Sequence, residues 1–131
     1  MGLLNNIFKS NREDSIVNES NVNWIPINSL YQIEEIKELS KHETILIFKH
    51  STRCGISRMV IKMFEKKFGK NMKDLKVYYL DLLSFREVSN EVGYTFQVLH
   101  QSPQLLVIQN ETAIAHASHY DITTLDVTSY L

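Results

Sequence analysis

The sequence predicts an α/β protein in which a mixed β-sheet carries helices on both faces. Short, almost wholly apolar runs indicate buried strands, apolar residues at helical spacing lie between them, and the two patterns alternate along the chain. A strand, a helix and a strand in succession predict parallel strands joined by a right-handed crossover. The 131 residues are enough for one domain with a substantial core.

Four strands are predicted with their bounds. Each run is rich in aliphatic and aromatic residues, as expected of strands covered on one or both faces. The last two runs flank a turn at Asn110 and Glu111, so they are expected to pair as a hairpin. The four runs are 44–49, 76–83, 104–109 and 112–118.

The first two helices are predicted from apolar spacing. Ser29 and Gln32 resemble a capping box, and a helix is expected over 30–40. A stronger apolar stripe follows Cys54, and Gly69 is expected to stop that helix. The stripe comprises Ile56, Met59, Val60, Met63, Phe64 and Phe68.

Two shorter helices complete the prediction. Ser84 is expected to cap a third helix, which Gly93 ends. Asp121 is expected to cap a last helix that runs over 125–130. The element order is therefore α–β–α–β–α–β–β–α, with a further strand expected ahead of the first helix.

The N-terminal residues differ in composition from the rest. Residues 1–23 are mostly polar and are interpreted as a flexible leader, and the domain is expected at 24–131. No signal-peptide pattern or membrane-spanning run is found. The net charge of −1 gives no indication of a nucleic-acid partner. Because a single cysteine excludes an internal disulfide, the expected location is cytoplasmic, where a thiol stays reduced.

Cys54, the only cysteine, is the candidate nucleophile. It follows a predicted buried strand and opens a helix, where unsatisfied N–H groups and the helix dipole favour thiolate over thiol. Arg53 and Arg58 flank it, and Lys49 and His50 precede it, so positive potential is available. His50 is either a neighbour of the sulfur or a solvated residue at the strand end. The polar surroundings favour a reactive cysteine over a buried, inert one.

Three motifs occur in a fixed order along the chain. They are Lys49-His50-Ser51-Thr52-x-Cys54-x-Ile56-Ser57, then Ser102-Pro103-Gln104, then His116-Ala117-Ser118-His119 with Asp121-Ile122-Thr123. Together they resemble the monothiol bacilliredoxin family of thioredoxin-like proteins, from Trp24 to the C-terminus. The resemblance implies a thioredoxin-like fold with a C-x-x-S redox site, in which Cys54 attacks and Ser57 replaces the resolving cysteine.

The resemblance also assigns substrate-binding residues. Pro103 would be a cis-proline that turns the backbone of Ser102 toward the sulfur, leaving its N–H and C=O for an extended substrate. Thr52, Arg53 and Gly55 complete the expected set. The family usually has proline after its cysteine, which suits the first helical position, whereas Gly55 loosens that turn.

The implied chemistry is thiol–disulfide exchange. The Cys54 thiolate would remove a low-molecular-weight thiol, bacillithiol by the resemblance, from a mixed disulfide on a client protein. Ser57 is expected to donate a hydrogen bond to the thiolate. Because no second cysteine can resolve the adduct, a small thiol or a partner redoxin must regenerate the protein. Bacillithiol or a similar thiol is thus a co-substrate, and no bound cofactor or metal is expected.

Other interpretations remain open. Cys54-Gly55-Ile56-Ser57-Arg58 resembles the C-G-x-S-R of glutaredoxin-coupled arsenate reductases, in which arginines hold the oxyanion. Against this, the chain has only four arginines, and serine precedes the later proline. A non-enzymatic thiol sensor or binding module would also use the cysteine. The same thiol could ligate a bridging iron–sulfur cluster with an added small thiol.

Overall fold

The computed structural model describes residues 21–131, which form a five-stranded mixed sheet with helices on both faces. The strands are β1 (Trp24–Pro26), β2 (Ile45–His50), β3 (Lys76–Asp81), β4 (Gln104–Gln109) and β5 (Thr112–Ser118). The helices are α1 (Tyr31–Leu39), α2 (Gly55–Lys67) and α3 (Arg86–Phe96). Short 3₁₀ segments lie at Lys70–Met72, His119–Thr123 and Val127–Tyr130. The predicted fold class is confirmed.

The strand order places β2 at the centre of the sheet. The order is β1-β3-β2-β4-β5. β3 pairs in parallel with β1 and with β2, and β4 pairs antiparallel with β2 and with β5. All six residues of β2 are buried, because strands flank it on both sides and helices cover both faces. In the register, Lys49 lies opposite Gln104 and His50 lies opposite Asp81. The C-terminal end of β2, where the chain leaves the sheet, therefore lies beside the N-terminal end of β4.

Each face of the sheet has its own hydrophobic core. One core packs the odd-numbered residues of β2 against α1 and α3, and the other packs the even-numbered residues against α2 and the C-terminal segment. This alternation follows from the two-residue period of a strand. In the second core Phe48 and Phe64 lie edge to face at 5.3 Å, and Trp24 lies within 5.8 Å of both rings.

The helix ends differ from the prediction at four glycine or serine positions, namely Ser29, Gly69, Ser84 and Gly93. Only half of the expected capping box forms. Gln32 Oε1 accepts from the Ser29 N–H at 3.2 Å, but the residue at the N-cap position is Leu30, and no side chain caps the helix there. α2 ends at Lys67, and Gly69 is not left-handed, so Gly69 is not a glycine C-cap. Ser84 does not cap α3, since Phe85 takes that position. Instead the Asp81 carboxylate accepts from both N–H and hydroxyl of Ser84.

Gly93 does not end α3, and this prediction was wrong. The helix continues to Phe96, whose side chain is buried in the first core, and Gln97 takes the left-handed conformation with φ 57°. Gly93 serves a close approach instead, because a Cβ there would lie 3.1 Å from the Val98 carbonyl oxygen. The Val98 N–H donates to the Gly93 carbonyl at 3.1 Å, which closes the helix end.

The predicted last helix is also wrong. Residues 125–130 do not form one helix; two 3₁₀ segments, His119–Thr123 and Val127–Tyr130, occupy this part of the chain. The side chain that caps the second is Asp126, which accepts from the Thr128 N–H at 3.1 Å, rather than Asp121.

Most of the predicted leader, 1–23, lies outside the described residues. Its last residues pack on the domain: Val22 is buried in the second core, and Asn21 Nδ2 donates to the Phe68 carbonyl at 3.2 Å. None of the helices in residues 21–131 is long and apolar enough to cross a membrane.

Candidate active site

Cys54 lies at the junction between the central strand and α2, as the sequence predicted. Its backbone is extended, with φ −98° and ψ 123°, and it occupies the N-cap position of α2. The Cys54 N–H donates to the Ser51 carbonyl at 3.2 Å, and its own carbonyl accepts from the Arg58 N–H at 3.0 Å. The residue is half-buried. The sulfur is thus held at the positive end of a 13-residue helix dipole, with part of the residue open to solvent.

Ser57 is fully buried one helical turn after Cys54. Its Oγ accepts from the Ser51 N–H at 3.0 Å and lies 2.8 Å from His50 Nδ1. The expected hydrogen bond from Ser57 to the Cys54 sulfur is absent from the described structure, because the hydroxyl points into the protein and both contacts lie there. Ser57 therefore ties the first turn of α2 to the end of β2 and to the loop that carries the cysteine.

His50 is the residue whose role the sequence left undecided. The structure buries it, with 6% of its surface exposed, and its ring lies 5.6 Å from that of Tyr79. Burial lowers the pKa of His50 below 6.5; the Asp81 carboxylate opposes this and the Arg58 guanidinium reinforces it. His50 is therefore a neutral neighbour of the nucleophile, reached through Ser57, rather than a solvated residue at the strand end.

Pro103 lies at the start of β4, and the Ser102–Pro103 peptide bond is cis. Pro103 is buried, and its carbonyl accepts from the His119 N–H at 3.0 Å. Since Lys49 lies opposite Gln104, Pro103 stands beside His50 at the edge from which the cysteine loop departs. The backbone N–H and C=O of Ser102 make no hydrogen bond to another residue of the described chain.

The remaining predicted substrate-binding residues lie on the surface of the loop. Thr52, Arg53 and Gly55 are all exposed around the half-buried cysteine. Gly55 does not have a positive φ, and a Cβ at this position would lie 4.0 Å from Arg58 Nη2, which is an ordinary contact. A side chain at position 55 would therefore fit, and the Arg58 guanidinium reaches back to the residue after the nucleophile.

Lys49 was expected to add positive potential near the sulfur, and the structure buries it completely in the sheet instead. Its Nζ donates to the Ser89 carbonyl at 3.1 Å and lies 3.5 Å from His100 Nδ1. Burial lowers the pKa of Lys49 to about 8. Across the register, Gln104 Oε1 is buried and has no hydrogen-bond partner among residues 21–131. A lysine at the end of a wholly apolar central strand was the sequence signal for this buried polar cluster.

The histidines and acidic residues around the site do not form a metal-binding group within residues 21–131. In the described part of the chain, no three His, Cys, Asp or Glu side chains are grouped to hold a metal ion. β5 ends at Ser118, and His119 begins a 3₁₀ segment with φ 56°, so the strand on which His116 lies does not extend to His119.

Comparison with known proteins gives a family and a fold. The family model described as monothiol bacilliredoxin BrxC matches residues 25–127. A solved structure of a candidate oxidoreductase with a thioredoxin fold is 28% identical, with a TM-score of 0.66 over 77% of this chain and 88% of that one.

Two thioredoxins show the same fold at lower identity. The thioredoxin Mala s 13 of Malassezia sympodialis is 21% identical, with a TM-score of 0.66 over 80% of this chain and 88% of that chain. The thioredoxin of Fasciola hepatica is 16% identical, with a TM-score of 0.65 over 81% of this chain and 98% of that chain.

Proposed function

The chain belongs to the monothiol bacilliredoxin family, and from this we propose that it removes a low-molecular-weight thiol, bacillithiol, from mixed disulfides on client proteins. The family and the thioredoxin fold support a thiol–disulfide redox function. The observation that carries the proposal is the placement of Cys54, the only cysteine, half-buried at the N-terminus of α2. A thiolate in such a position is the reacting species in disulfide exchange.

The proposed step is a thiol–disulfide exchange, which needs no external oxidant or reductant. The Cys54 thiolate attacks the sulfur of the small thiol in the mixed disulfide, and an S–S bond forms between Cys54 and the small thiol. The original S–S bond breaks, and the client sulfur leaves as a thiolate. The client is thereby reduced, and Cys54 carries the adduct.

The edge beside Pro103 is suited to hold the client during this step. Ser102 has its N–H and C=O unused within the described residues, at the edge of the sheet from which the cysteine loop departs. An extended client segment pairing with these groups would align its disulfide with the sulfur. The exposed residues Thr52, Arg53 and Gly55 would contact the client around it.

Regeneration must come from another molecule, because Ser57 occupies the position of a resolving cysteine. A second free thiol or a partner redoxin would attack the small thiol's sulfur in the Cys54 adduct. A new S–S bond forms between the attacking sulfur and the small thiol, the S–S bond to Cys54 breaks, and Cys54 is released as a thiolate. The hydroxyl of Ser57 takes no part in this exchange. It fixes the loop, through its bonds to Ser51 and His50.

The test is to follow a bacillithiol-modified client and the reduced protein together by intact mass spectrometry. We expect the client to lose the adduct as Cys54 gains it, and Cys54→Ser to leave both proteins unchanged. If the client kept its adduct in the presence of the active protein, the exchange proposal would be wrong, and arsenate reduction would become the next activity to assay.

A further inference from the structure

A cavity of about 350 Å³ opens between α3 and the segment 97–100 that follows it, and we call it the α3 cavity. Ser89, Asn90 and Tyr94 line it from the helix, and Leu99 and His100 line it from the segment. Ligand pockets in proteins have volumes of about 300–1,000 Å³. Because α3 and α2 cover opposite faces of the sheet, this cavity is separate from the face on which α2 packs.

The completely buried Lys49 places an ammonium at the inner wall of the α3 cavity. Its Nζ donates to the Ser89 carbonyl at 3.1 Å and lies 3.5 Å from His100 Nδ1, and both of these residues line the cavity. An ammonium has three N–H donors, so at least one has no acceptor within residues 21–131. Lys49 forms no ion pair with these residues. Gln104 Oε1, across the register, is uncharged and makes no hydrogen bond to Nζ. Since a buried charge is costly unless it is paired, the cluster lacks an anion.

The hydroxyl of Ser89 is a second group at this wall that lacks a partner. Ser89 has no exposed surface, and its Oγ makes no hydrogen bond within the described part of the chain. Buried hydroxyls are nearly always hydrogen-bonded in native proteins. Because this hydroxyl belongs to a cavity-lining residue and lies beside an ammonium, the group that it suits best is a negatively charged acceptor.

The charges that act on this cluster are positive. Burial lowers the pKa of His100, and the charges of Lys49 and Arg86 lower it further. No carboxylate in the described residues raises the pKa of either Lys49 or His100. With Nδ1 facing the ammonium, the neutral His100 ring carries its proton on Nε2, from which it can donate. The rim of the cavity is apolar instead, since Tyr94 and Leu99 are 72% and 83% exposed.

We propose that the α3 cavity binds a small free monocarboxylate, with its carboxylate at Ser89 and its apolar body between Tyr94 and Leu99. The Ser89 hydroxyl donates to the carboxylate, and the Lys49 ammonium behind it balances the charge. One uncompensated cation matches a monoanion better than a phosphate group, which carries nearly two negative charges at neutral pH. The site goes beyond the proposed exchange function and involves no reaction of Cys54.

The experiment titrates the full chain with sodium propionate at constant ionic strength and follows the backbone amide signals by nuclear magnetic resonance. Neutral propionamide has almost the same shape and is the matched control ligand, and inorganic phosphate is the second control. We expect saturable shifts over 86–100 with propionate, and much weaker binding of both controls. Equal shifts with propionamide, tighter binding of phosphate, or no saturable shift with propionate would each overturn the inference.

Two variants test the groups at the inner wall. Ser89→Ala should weaken propionate binding by about tenfold or more, because it removes a hydrogen bond to a charged group, while its urea midpoint without ligand stays unchanged. Lys49→Met should remove the preference for propionate over propionamide. Lys66→Gln removes an exposed cation from α2, outside the cavity, and should leave the affinity unchanged. Unaltered propionate affinity in Ser89→Ala and Lys49→Met would contradict the proposed site.

A further arm separates a free acid from an acidic client as the source of the carboxylate. Saturating propionate should not change the rate at which Cys54 takes an adduct from a peptide with aspartate beside its cysteine. If propionate slowed that peptide but not a neutral one, the cavity would belong to an acidic client and the inference would be wrong. A protein that binds propionate but accepts no adduct from either peptide would refute the proposed exchange and leave the carboxylate site standing.

Discussion

The Ser57 hydroxyl lies 2.8 Å from His50 Nδ1, and this buried contact joins the first turn of α2 to the end of the central strand. The same oxygen accepts from the Ser51 N–H in the loop that leads to Cys54. Three elements around the nucleophile are therefore connected through one side chain. In a C-x-x-C site a cysteine would stand at this position, and here it is a structural hydroxyl.

Ser57→Ala is expected to destabilise the protein by about 1–3 kcal/mol, because it leaves a buried ring nitrogen and a loop N–H without partners. The matched control is Ser89→Ala. Ser89 is also fully buried, but its hydroxyl has no hydrogen-bond partner in the described part of the chain, so its loss should cost little or nothing. Urea unfolding of both variants measures the difference. Equal losses in the two variants would show that the contacts of Ser57 carry no special stability.

Ser57→Cys is expected to convert the monothiol cycle to a dithiol one. The new thiol would lie one helical turn from Cys54, and it could attack the Cys54 adduct and release the small thiol while forming an internal disulfide. Intact mass spectrometry should show a transient adduct followed by an oxidised protein without it. The control is Ser57→Cys combined with Cys54→Ser, which should gain no adduct from the client. An adduct that persists on Cys54 would contradict this expectation.

The buried His50 predicts a loss of stability in acid. Its folded-state pKa lies below 6.5, chiefly through burial, so the unfolded chain binds a proton that the folded protein resists. Stability should therefore fall as the pH drops from 6.5 through the folded-state pKa. His50→Asn keeps an acceptor near Ser57 but does not titrate, and it should lose less stability over that range. The pH dependence of urea midpoints for the two proteins measures this. Parallel curves would exclude His50 as a source of acid sensitivity.

His100 titrates in the same direction, so the comparison must be made as a difference between proteins. Burial lowers the pKa of His100, and the positive charges of Lys49 and Arg86 lower it further. His100 is present in both proteins, and its contribution cancels in the difference between unmodified protein and His50→Asn.

The sheet could be predicted from the sequence because its signals are local. The run 104–109 matches β4 residue for residue, and the hairpin partner 112–118 matches β5. Both are short apolar or alternating runs bounded by turn residues, so period and propensity agree there. The placement of Cys54 at a helix start followed from the same patterns.

The helix ends and the polar contacts at the site could not be predicted, because long-range packing decides them. Gly93 looks like a stop signal in sequence, but burial of Phe96 in the core extends the helix past it. The bond between Ser57 and His50 joins residues seven apart on two different elements. No periodicity in the sequence marks such a pair.

Lys49 is buried on the sheet face covered by α3. Because its charged form is unfavourable there, the stability of the protein is expected to rise with pH in the alkaline range. Its Nζ has the Ser89 carbonyl as acceptor at 3.1 Å, and burial lowers the pKa of Lys49 from 10.5 to about 8. Above pH 8 the folded protein sheds a proton that the unfolded chain retains up to about pH 10.5. Stability should therefore rise with pH across this window, by about 3 kcal/mol at most.

Lys49→Met is the variant that isolates this effect. It keeps an unbranched side chain one atom shorter than lysine and removes the buried charge, so it should be as stable as the unmodified protein or more stable at neutral pH. Its stability should not rise between about pH 8 and pH 10. Burial raises the pKa of Tyr78 and Tyr79 above 10, which opposes the rise only at the upper end of the window and acts equally in both proteins. Chemical unfolding at a series of pH values measures both curves. A rise of equal size in Lys49→Met would show that Lys49 stays charged in the folded protein, held by the Ser89 carbonyl and the buried side chains around it.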